Sequence, residues 1–182
     1  MAQPTRILGI DPGSLTTGYG VIDSDGRASR HVAHGCIASG GGALAQRLGR
    51  IQQELAAVIA ETQPVEMAVE EVFVHRSAAA ALKLGQARGA AICAGAGAGL
   101  EVAEYSARLV KQSVVGAGGA AKQQIGHMVA ALLALDDRRL PEDAADALAV
   151  ALCHAHMRTR PALPRGARSG RRRALRWTEK DL

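Results

Sequence analysis

The sequence predicts an α/β domain in which a mixed five-stranded sheet carries helices on both faces. Three segments rich in β-formers follow one another at the N-terminus, and two later ones alternate with segments of helical periodicity. Strands joined first by turns and then through helices give a sheet with both antiparallel and parallel neighbours. With 182 residues and an apolar content of 48%, the chain can build one domain with a complete core.

The N-terminal part of the chain predicts an antiparallel meander. Its three strands are predicted at Thr5–Ile10, Thr16–Asp23 and Ala28–Ser39. Asp25-Gly26 lies between the second and the third, and this dipeptide is a strong turn signal. We therefore expect these three strands to be neighbours in the sheet.

The rest of the chain predicts helices that alternate with two further strands. Helices are predicted at Ala43–Thr62, Ser77–Ala96, Ser106–Val114, Ala121–Leu135 and Pro141–Arg158, and strands at Val65–Val74 and Leu100–Tyr105. Pro64 ends the first helix, Ser106 has the character of an N-cap, and Pro141 suits the first turn of the last helix. We expect the strands that end at Asp11 and carry Glu70 to be neighbours at the sheet centre.

The C-terminal segment differs from the rest in composition. From Arg158 to Leu182 there are nine Lys/Arg and two Asp/Glu, whereas the preceding 157 residues hold 13 Lys/Arg and 15 Asp/Glu. We predict a folded domain over residues 1–158 and a basic tail over 159–182 that is disordered without a partner. Such a tail indicates binding to nucleic acid or another polyanion, or only a solubilising end.

Composition also bears on the compartment. The sequence contains no uncharged apolar run of about 18 residues, the length that crosses a membrane, and no secretory signal is recognised at its start. The three cysteines are widely spaced, which fits reduced thiols better than a disulfide framework or a zinc site. We expect a cytoplasmic protein without a membrane partner.

Four acidic residues occupy unusual places in this pattern. Asp11 ends an apolar strand and is followed by a Pro-Gly turn, Glu70 lies in the strand after the first helix, and Asp143 and Asp146 are three apart at the start of the last helix. Carboxylates that converge from separate elements are typical ligands of divalent cations. Each also has a structural interpretation: Asp11 as a turn residue, and Asp143 as an acid that stabilises the helix dipole.

The sequence segments around these acids resemble those of a known family. The blocks are ILGIDPGSLTTGYGVI at Ile7–Ile22, AVEEVF at Ala68–Phe73, ALKLGQARG at Ala81–Gly89, VKQSVVGAGGAAK at Val110–Lys122 and DAADALAVALCHAH at Asp143–His156. Together they resemble the RuvC family of bacterial Holliday junction resolvases (crossover junction endodeoxyribonucleases) over about Arg6 to Met157.

This resemblance implies an RNase H-like fold and a homodimer that makes paired symmetric nicks in four-way junction DNA during recombination and repair. Its four catalytic acids fall on Asp11, Glu70, Asp143 and Asp146, which would hold two Mg²⁺ ions, with Mn²⁺ as a possible substitute. It also implies cooperation with the RuvA–RuvB branch-migration complex. Two metal ions about 3.5–4 Å apart can drive phosphodiester hydrolysis without a Ser or His nucleophile.

Residues that would bind DNA can also be named. The resemblance places Lys111 and Lys122 near the scissile phosphate and Phe73 against unpaired bases. Arg76, Lys83 and Arg88 could join the two lysines in a basic stripe beside the acids. Without the resemblance, the lysines would be interpreted as solvated surface and Phe73 as a core residue at a strand end.

Two other functions remain open from the residues alone. The strand followed by Asp-Pro-Gly-Ser also resembles the phosphate-binding hairpin of actin-like and sugar-kinase-type ATP-binding proteins, although these need two such lobes and 182 residues hold one. A non-catalytic DNA-binding module, in which the acids only cap helices and form ion pairs, is the other alternative.

Overall fold

A computed structural model describes residues 3–71, 77–116, 122–136 and 139–158. Its strands are β1 (Thr5–Asp11), β2 (Thr16–Ser24), β3 (Ser29–Ala38), β4 (Glu66–Glu71) and β5 (Glu101–Ser106). They form one sheet of order β3-β2-β1-β4-β5, with β1 in the middle. The first three strands pair antiparallel, whereas β4 and β5 run parallel to β1. The predicted mixed five-stranded sheet, with its N-terminal meander, is confirmed.

In the part of the chain that the structure describes, five α-helices cover the two faces of this sheet, as predicted. They are α1 (Leu44–Thr62), α2 (Ala78–Gly97), α3 (Ala107–Val115), α4 (Lys122–Leu133) and α5 (Glu142–Arg158). On one face, α1 and α2 pack on the alternate strand residues Leu8, Ile10 and Val21. On the other, α3, α4 and α5 pack on the residues between them, such as Ile7 and Ile22. Period-two burial in the strands therefore produces two cores, one per face.

Element boundaries differ from the predictions by small amounts. β1 extends one residue further, to Asp11, because Asp11 pairs with Gly18 of β2. β4 starts at Glu66 and is described to Glu71, so the predicted continuation to Val74 lies outside the described residues. Ser106 stands at the N-cap of α3 without a side-chain cap hydrogen bond, whereas the Ser77 hydroxyl accepts from the Ala80 amide at the start of α2.

Helix α5 packs unusually close to the sheet because glycines of β1 and β2 lie beneath it. A Cβ atom on Gly9 would lie 2.2 Å from the Ala147 carbonyl oxygen, and one on Gly18 would lie 1.9 Å from the Asp143 carbonyl oxygen. The helix is correspondingly apolar, with every residue from Ala147 to Ala155 buried. A helix buried on nearly all sides is fixed by packing rather than by propensity.

A polar network fixes the far end of α5. The ring of His154, which is 8% exposed, forms 2.7 Å hydrogen bonds with the Tyr105 hydroxyl through Nδ1 and with the Glu66 carboxylate through Nε2. Arg158 donates to Glu66 and to the Thr5 hydroxyl, both at 2.8 Å. Burial is the main cause that raises the pKa of Tyr105 to about 12, so this hydroxyl keeps its proton at neutral pH. The network ties α5 to the strands that hold the candidate site.

The remaining expectations about the whole chain concern membranes and thiols. Within the described residues, no helix has the length and apolar character needed to traverse a bilayer. Cys36, Cys93 and Cys153 are all free thiols, as the sequence predicts. The basic tail, residues 159–182, lies outside the described residues.

Candidate active site

Two of the four predicted acids meet at the carboxyl ends of neighbouring parallel strands. Asp11 is the last residue of β1, and Glu70 is the next-to-last described residue of β4. The register pairs Ile10 with Val69, so the two acids follow the last matched pair on each strand. Because the carboxyl ends of parallel strands share one sheet edge, the side chains can face the same solvent-filled space.

That space is a cleft of about 170 Å³ lined by both acids and by α5. Its lining residues are Asp11, Glu70, Ala107, Val110, Lys111, Ile125, Asp146 and Ala149. Three of the four predicted acids therefore surround one cleft, and the half-buried Lys111 of α3 adds a cationic group to it. Apolar groups from α3, α4 and α5 form the rest of its wall.

Asp146 also connects this cleft to a second one. An adjoining cavity of about 210 Å³ is lined by Asp146 together with Gln123, Gly126, His127, Leu140, Glu142 and Ala145. Asp146, an acid within the otherwise buried stretch Ala144–Ala155 of α5, lines both cavities.

Asp143 lies on the opposite side of Asp11 from Glu70. Its carbonyl oxygen rests above Gly18, the residue that pairs with Asp11 across β1 and β2. Burial raises the pKa of the nearby Cys36 thiol, and the negative charges of Asp143 and Asp11 raise it further. The structure therefore places Asp143 next to the cleft, on the β2 side, but not among the residues that line it.

The start of α5 explains why acids are tolerated there. Glu142 and Asp143 occupy its first turn, where the helix dipole stabilises negative charge. Asp146 follows one turn later on the same side, and the alanines between them let the helix approach the sheet. The structural interpretation of Asp143 and its place beside the candidate site are thus compatible.

The structure does not gather these acids into a closed cage. Among the described residues, no three His, Cys, Asp or Glu side chains form a group that could hold a metal ion by themselves. The donor set still suits Mg²⁺, which prefers carboxylate oxygens and usually takes one or two of them together with water and substrate phosphate. An open cleft bordered by carboxylates leaves room for those further ligands.

The predicted DNA-binding residues are distributed unevenly around the cleft. Lys111 lines it, Lys83 is exposed on α2, and Lys122 begins α4, although the position of its side chain is not described. The Arg88 guanidinium forms an ion pair with Glu104 of β5, a partner that sequence reasoning did not predict. Phe73 and Arg76 lie outside the described residues.

Sequence reasoning missed several residues that build the site. Gly9 and Gly18 are needed under α5, and the guanidinium of Arg47 on α1 donates to the carbonyl oxygens of Ser14 and Ser39. His154 and Tyr105 join the far end of α5 to the sheet. Gly9 in β1 and the alternate glycines Gly18 and Gly20 in β2 were a visible signal that a helix packs closely on these strands. The other contacts join residues that the sequence pattern does not connect.

The fold and this site together define a class. A mixed sheet with this strand order, with helices on both faces and carboxylates at the ends of two neighbouring parallel strands, has the RNase H-like fold. The sequence model of the family described as crossover junction endodeoxyribonuclease RuvC matches residues 7–154. The chain belongs to this family, which favours a nuclease over the ATP-binding and the non-catalytic alternatives.

Individual relatives agree with this assignment. The RuvC protein of Marinobacter nauticus is 58% identical over 151 residues, which are 83% of this chain and 86% of the relative. That of Pseudomonas putida is 54% identical over 173 residues, which are 94% of this chain and 98% of the relative. The second match is too long to stop at residue 158, so it continues into the basic tail. Thermus thermophilus RuvC, solved in complex with a Holliday junction substrate, matches with a TM-score of 0.79 at 35% identity and covers 85% of this chain and 94% of its own.

Proposed function

We propose that this protein is a Holliday junction resolvase that nicks two opposing strands of a four-way DNA junction by metal-dependent hydrolysis. The observation that carries the proposal is the cleft bordered by Asp11, Glu70 and Asp146 in a chain of the RuvC family. A solved relative that is 35% identical was captured with a Holliday junction substrate. The products are nicked duplexes, and this resolution of junctions is a step of recombination and repair.

In this proposal the four acids bind the metal. Asp11 and Glu70 present carboxylates from the sheet, Asp146 presents one from α5, and Asp143 adds another from the side of β2. Two Mg²⁺ ions held by these acids would activate a water and stabilise the leaving oxygen of the phosphodiester, and Mn²⁺ would accept the same carboxylate ligands. The carboxylates fix the ions, while the sheet and α5 fix the carboxylates.

Lys111 orients the scissile strand in this proposal. Lys111 lines the same cleft as the acids, so its ammonium would offer a positive charge to a phosphate that enters. Lys122, at the start of α4, and the exposed Lys83 on α2 are proposed to add further contacts to DNA phosphates. Phe73 and Arg76, which follow β4 directly in the sequence, are proposed to meet bases and phosphates at the junction centre.

The assembly follows from the symmetry of the substrate. A homodimer with a two-fold axis presents one cleft to each of two opposing strands of a junction that is itself nearly two-fold symmetric. We propose that this dimer acts in the cytoplasm, with the RuvA–RuvB branch-migration complex as its partner. Residues 1–158 form the nuclease domain, and the tail 159–182 adds phosphate contacts that do not depend on sequence.

A nicking assay on a synthetic four-way junction tests this function. With Mg²⁺ present, the wild-type protein is expected to cut the junction symmetrically and to leave a linear duplex of the same sequence intact, and EDTA should stop the reaction. Asp11→Asn and Glu70→Gln should abolish cutting but keep junction binding, because each removes a ligand charge and leaves the side-chain shape.

Two matched controls separate the site from general effects of lost charge. Asp25→Asn changes an exposed carboxylate in the β2–β3 turn, and Glu61→Gln changes one on α1; both should cut at the wild-type rate. Cutting by Asp11→Asn or Glu70→Gln at the wild-type rate would show that these acids are not the metal ligands. Equal cutting of junction and linear duplex would overturn the junction selectivity.

A further inference from the structure

The turn that directly follows Asp11 is held by residues from elsewhere in the chain. Pro12–Leu15 connects β1 to β2, and its Gly13 folds so tightly that a Cβ atom there would lie 2.0 Å from the Thr16 carbonyl oxygen. Leu15 is 68% exposed, so this side chain contributes little to the core. Pro12 is buried, whereas the Ser14–Leu15 half of the turn is held by polar contacts.

Those contacts come from Arg47 on α1 and from Ser39, just after β3. The Arg47 guanidinium donates through Nη2 to the Ser14 carbonyl oxygen and through Nε to the Ser39 carbonyl oxygen, the second at 2.9 Å. Ser39, which is fully buried, donates to the Leu15 carbonyl oxygen through its amide at 2.8 Å and its hydroxyl at 3.2 Å. Two successive carbonyls of the turn are thus fixed from outside it.

The planar fork of arginine suits this task. Its N–H groups leave the guanidinium in fixed directions, so one side chain can hold two separate acceptors in a defined relation. Both acceptors here are backbone carbonyls, and neither belongs to α1, the helix that carries Arg47. The packing of α1 on the sheet depends instead on buried residues such as Ile51, Leu55 and Ile59.

We propose that Arg47 is a positioning residue for the nuclease reaction, which holds the Pro12–Leu15 turn so that Asp11 keeps its place at the cleft. The contacts join α1 to a backbone segment that begins one residue after Asp11. The inference rests on the proposed function, because it assumes that Asp11 acts in catalysis. A residue with a merely structural role would lower stability without changing the rate of the folded enzyme.

Three variants test the proposal in the full-length protein. Arg47→Gln removes the charged fork, Arg47→Lys keeps the charge but not the fork, and Arg50→Gln is the matched control. Arg50 stands one turn further along α1 and donates a 3.3 Å hydrogen bond to the Ala38 carbonyl oxygen of β3, and not to a carbonyl of the turn itself. Single-turnover cleavage of a synthetic junction in Mg²⁺ and junction binding in EDTA are measured for each.

We expect Arg47→Gln to cleave about 10- to 100-fold more slowly, since a displacement of about 1 Å in a catalytic constellation can cost that much. Its junction Kd should stay within about twofold, since metal-free binding does not use the geometry of Asp11. The cleavage rate of Arg47→Lys should lie between those of Arg47→Gln and the wild type, and Arg50→Gln should cleave at the wild-type rate.

Hydrogen exchange at the Ser39 amide gives a readout that does not depend on cleavage. This amide donates to Leu15, so it should exchange faster in Arg47→Gln than in the wild type. If Arg47→Gln cleaves at the wild-type rate, the proposal is wrong, whether or not the Ser39 amide exchanges faster. The proposal is also wrong if the loss of cleavage rate is no larger than the unfolded fraction of the variant explains. If the Gln variant does not fold, the Lys variant is judged by the same criteria.

Wild type and Asp11→Asn are run in the same experiment. Cutting by the first and not by the second upholds the nuclease function whatever Arg47 does. Cutting by both, or by neither, shows that the failure lies in the proposed function rather than in the role of Arg47.

Discussion

Gly18→Ala should slow cleavage by moving Asp143, although Gly18 itself has no chemical group to offer. A methyl group at this position would lie 1.9 Å from the Asp143 carbonyl oxygen and 2.4 Å from its carbonyl carbon, whereas real Cβ contacts essentially never fall below 3.0 Å. Helix and strand must therefore separate by about 1 Å. Since ladders on both sides hold β2 in the sheet, we expect α5 to be the element that moves.

The size of the effect follows from what α5 carries. Overpacking of this kind costs about 1–3 kcal/mol of unfolding free energy, which a domain with about 5–15 kcal/mol can lose and stay folded. Moving a catalytic group by about 1 Å can reduce the rate by about 100-fold. Cleavage should therefore suffer much more than folding, because Gly18 lies between Asp11, its partner across the strands, and Asp143 above it.

The assay compares single-turnover cleavage of a synthetic junction with the urea midpoint of the same variant. Gly49→Ala on α1 is the matched control, since nothing lies within 4 Å of a Cβ atom there; it should cleave normally and gain up to about 1 kcal/mol in stability. If folded Gly18→Ala cleaved within twofold of wild type, the close approach of α5 to β2 would not determine the site geometry.

Two further predictions concern charge. The hydrogen-bonded Arg6 guanidinium is the main cause that lowers the pKa of Asp23, and Arg30 adds to the effect. The ionised carboxylate therefore stabilises the fold at pH values above the unfolded-state pKa of about 3.9. Asp23→Asn should cost on the order of 1 kcal/mol at pH 7, and the gap between urea midpoints should close as the pH falls below about 4; a gap that stayed constant down to pH 3 would refute this. Deleting residues 159–182, which removes eight Lys/Arg, should leave cleavage intact but weaken junction binding, most at low salt, with a shallower slope of log Kd against log salt. A full-length control with these residues changed to Gln should behave like the deletion, and unchanged affinity at every salt concentration would exclude an electrostatic role of the tail.

The sheet could be predicted from the sequence because its signals are local. The alternating, β-rich residue pattern and the Asp25-Gly26 turn predicted the meander. The alternation of strands and helices predicted the two parallel strands β4 and β5. The end of β1 was predicted one residue early because a Pro-Gly turn follows Asp11, while the pairing of Asp11 with Gly18 extends the strand. Pairing between distant segments is not visible in a local pattern.

The site was predictable in its residue types and less so in its geometry. Strand register brings Asp11 and Glu70 to one edge, and this follows from their being parallel neighbours. That Asp143 lies beside the cleft while Asp146 lies in its wall depends on how deeply α5 sits on Gly9 and Gly18. The partners of Arg47 and Arg88 were not predicted, because their hydrogen bonds reach across elements to atoms that carry no sequence signal.

The burial of α5 has a consequence for how such a protein can diversify. The helix that carries two of the acids also fills the core, so a mutation there affects folding and chemistry together. Leu15 and Lys83 lie at the surface, and they can be exchanged with less effect on folding than the residues of α5. Selection for a new DNA preference could therefore act on these peripheral positions while the reaction stays the same.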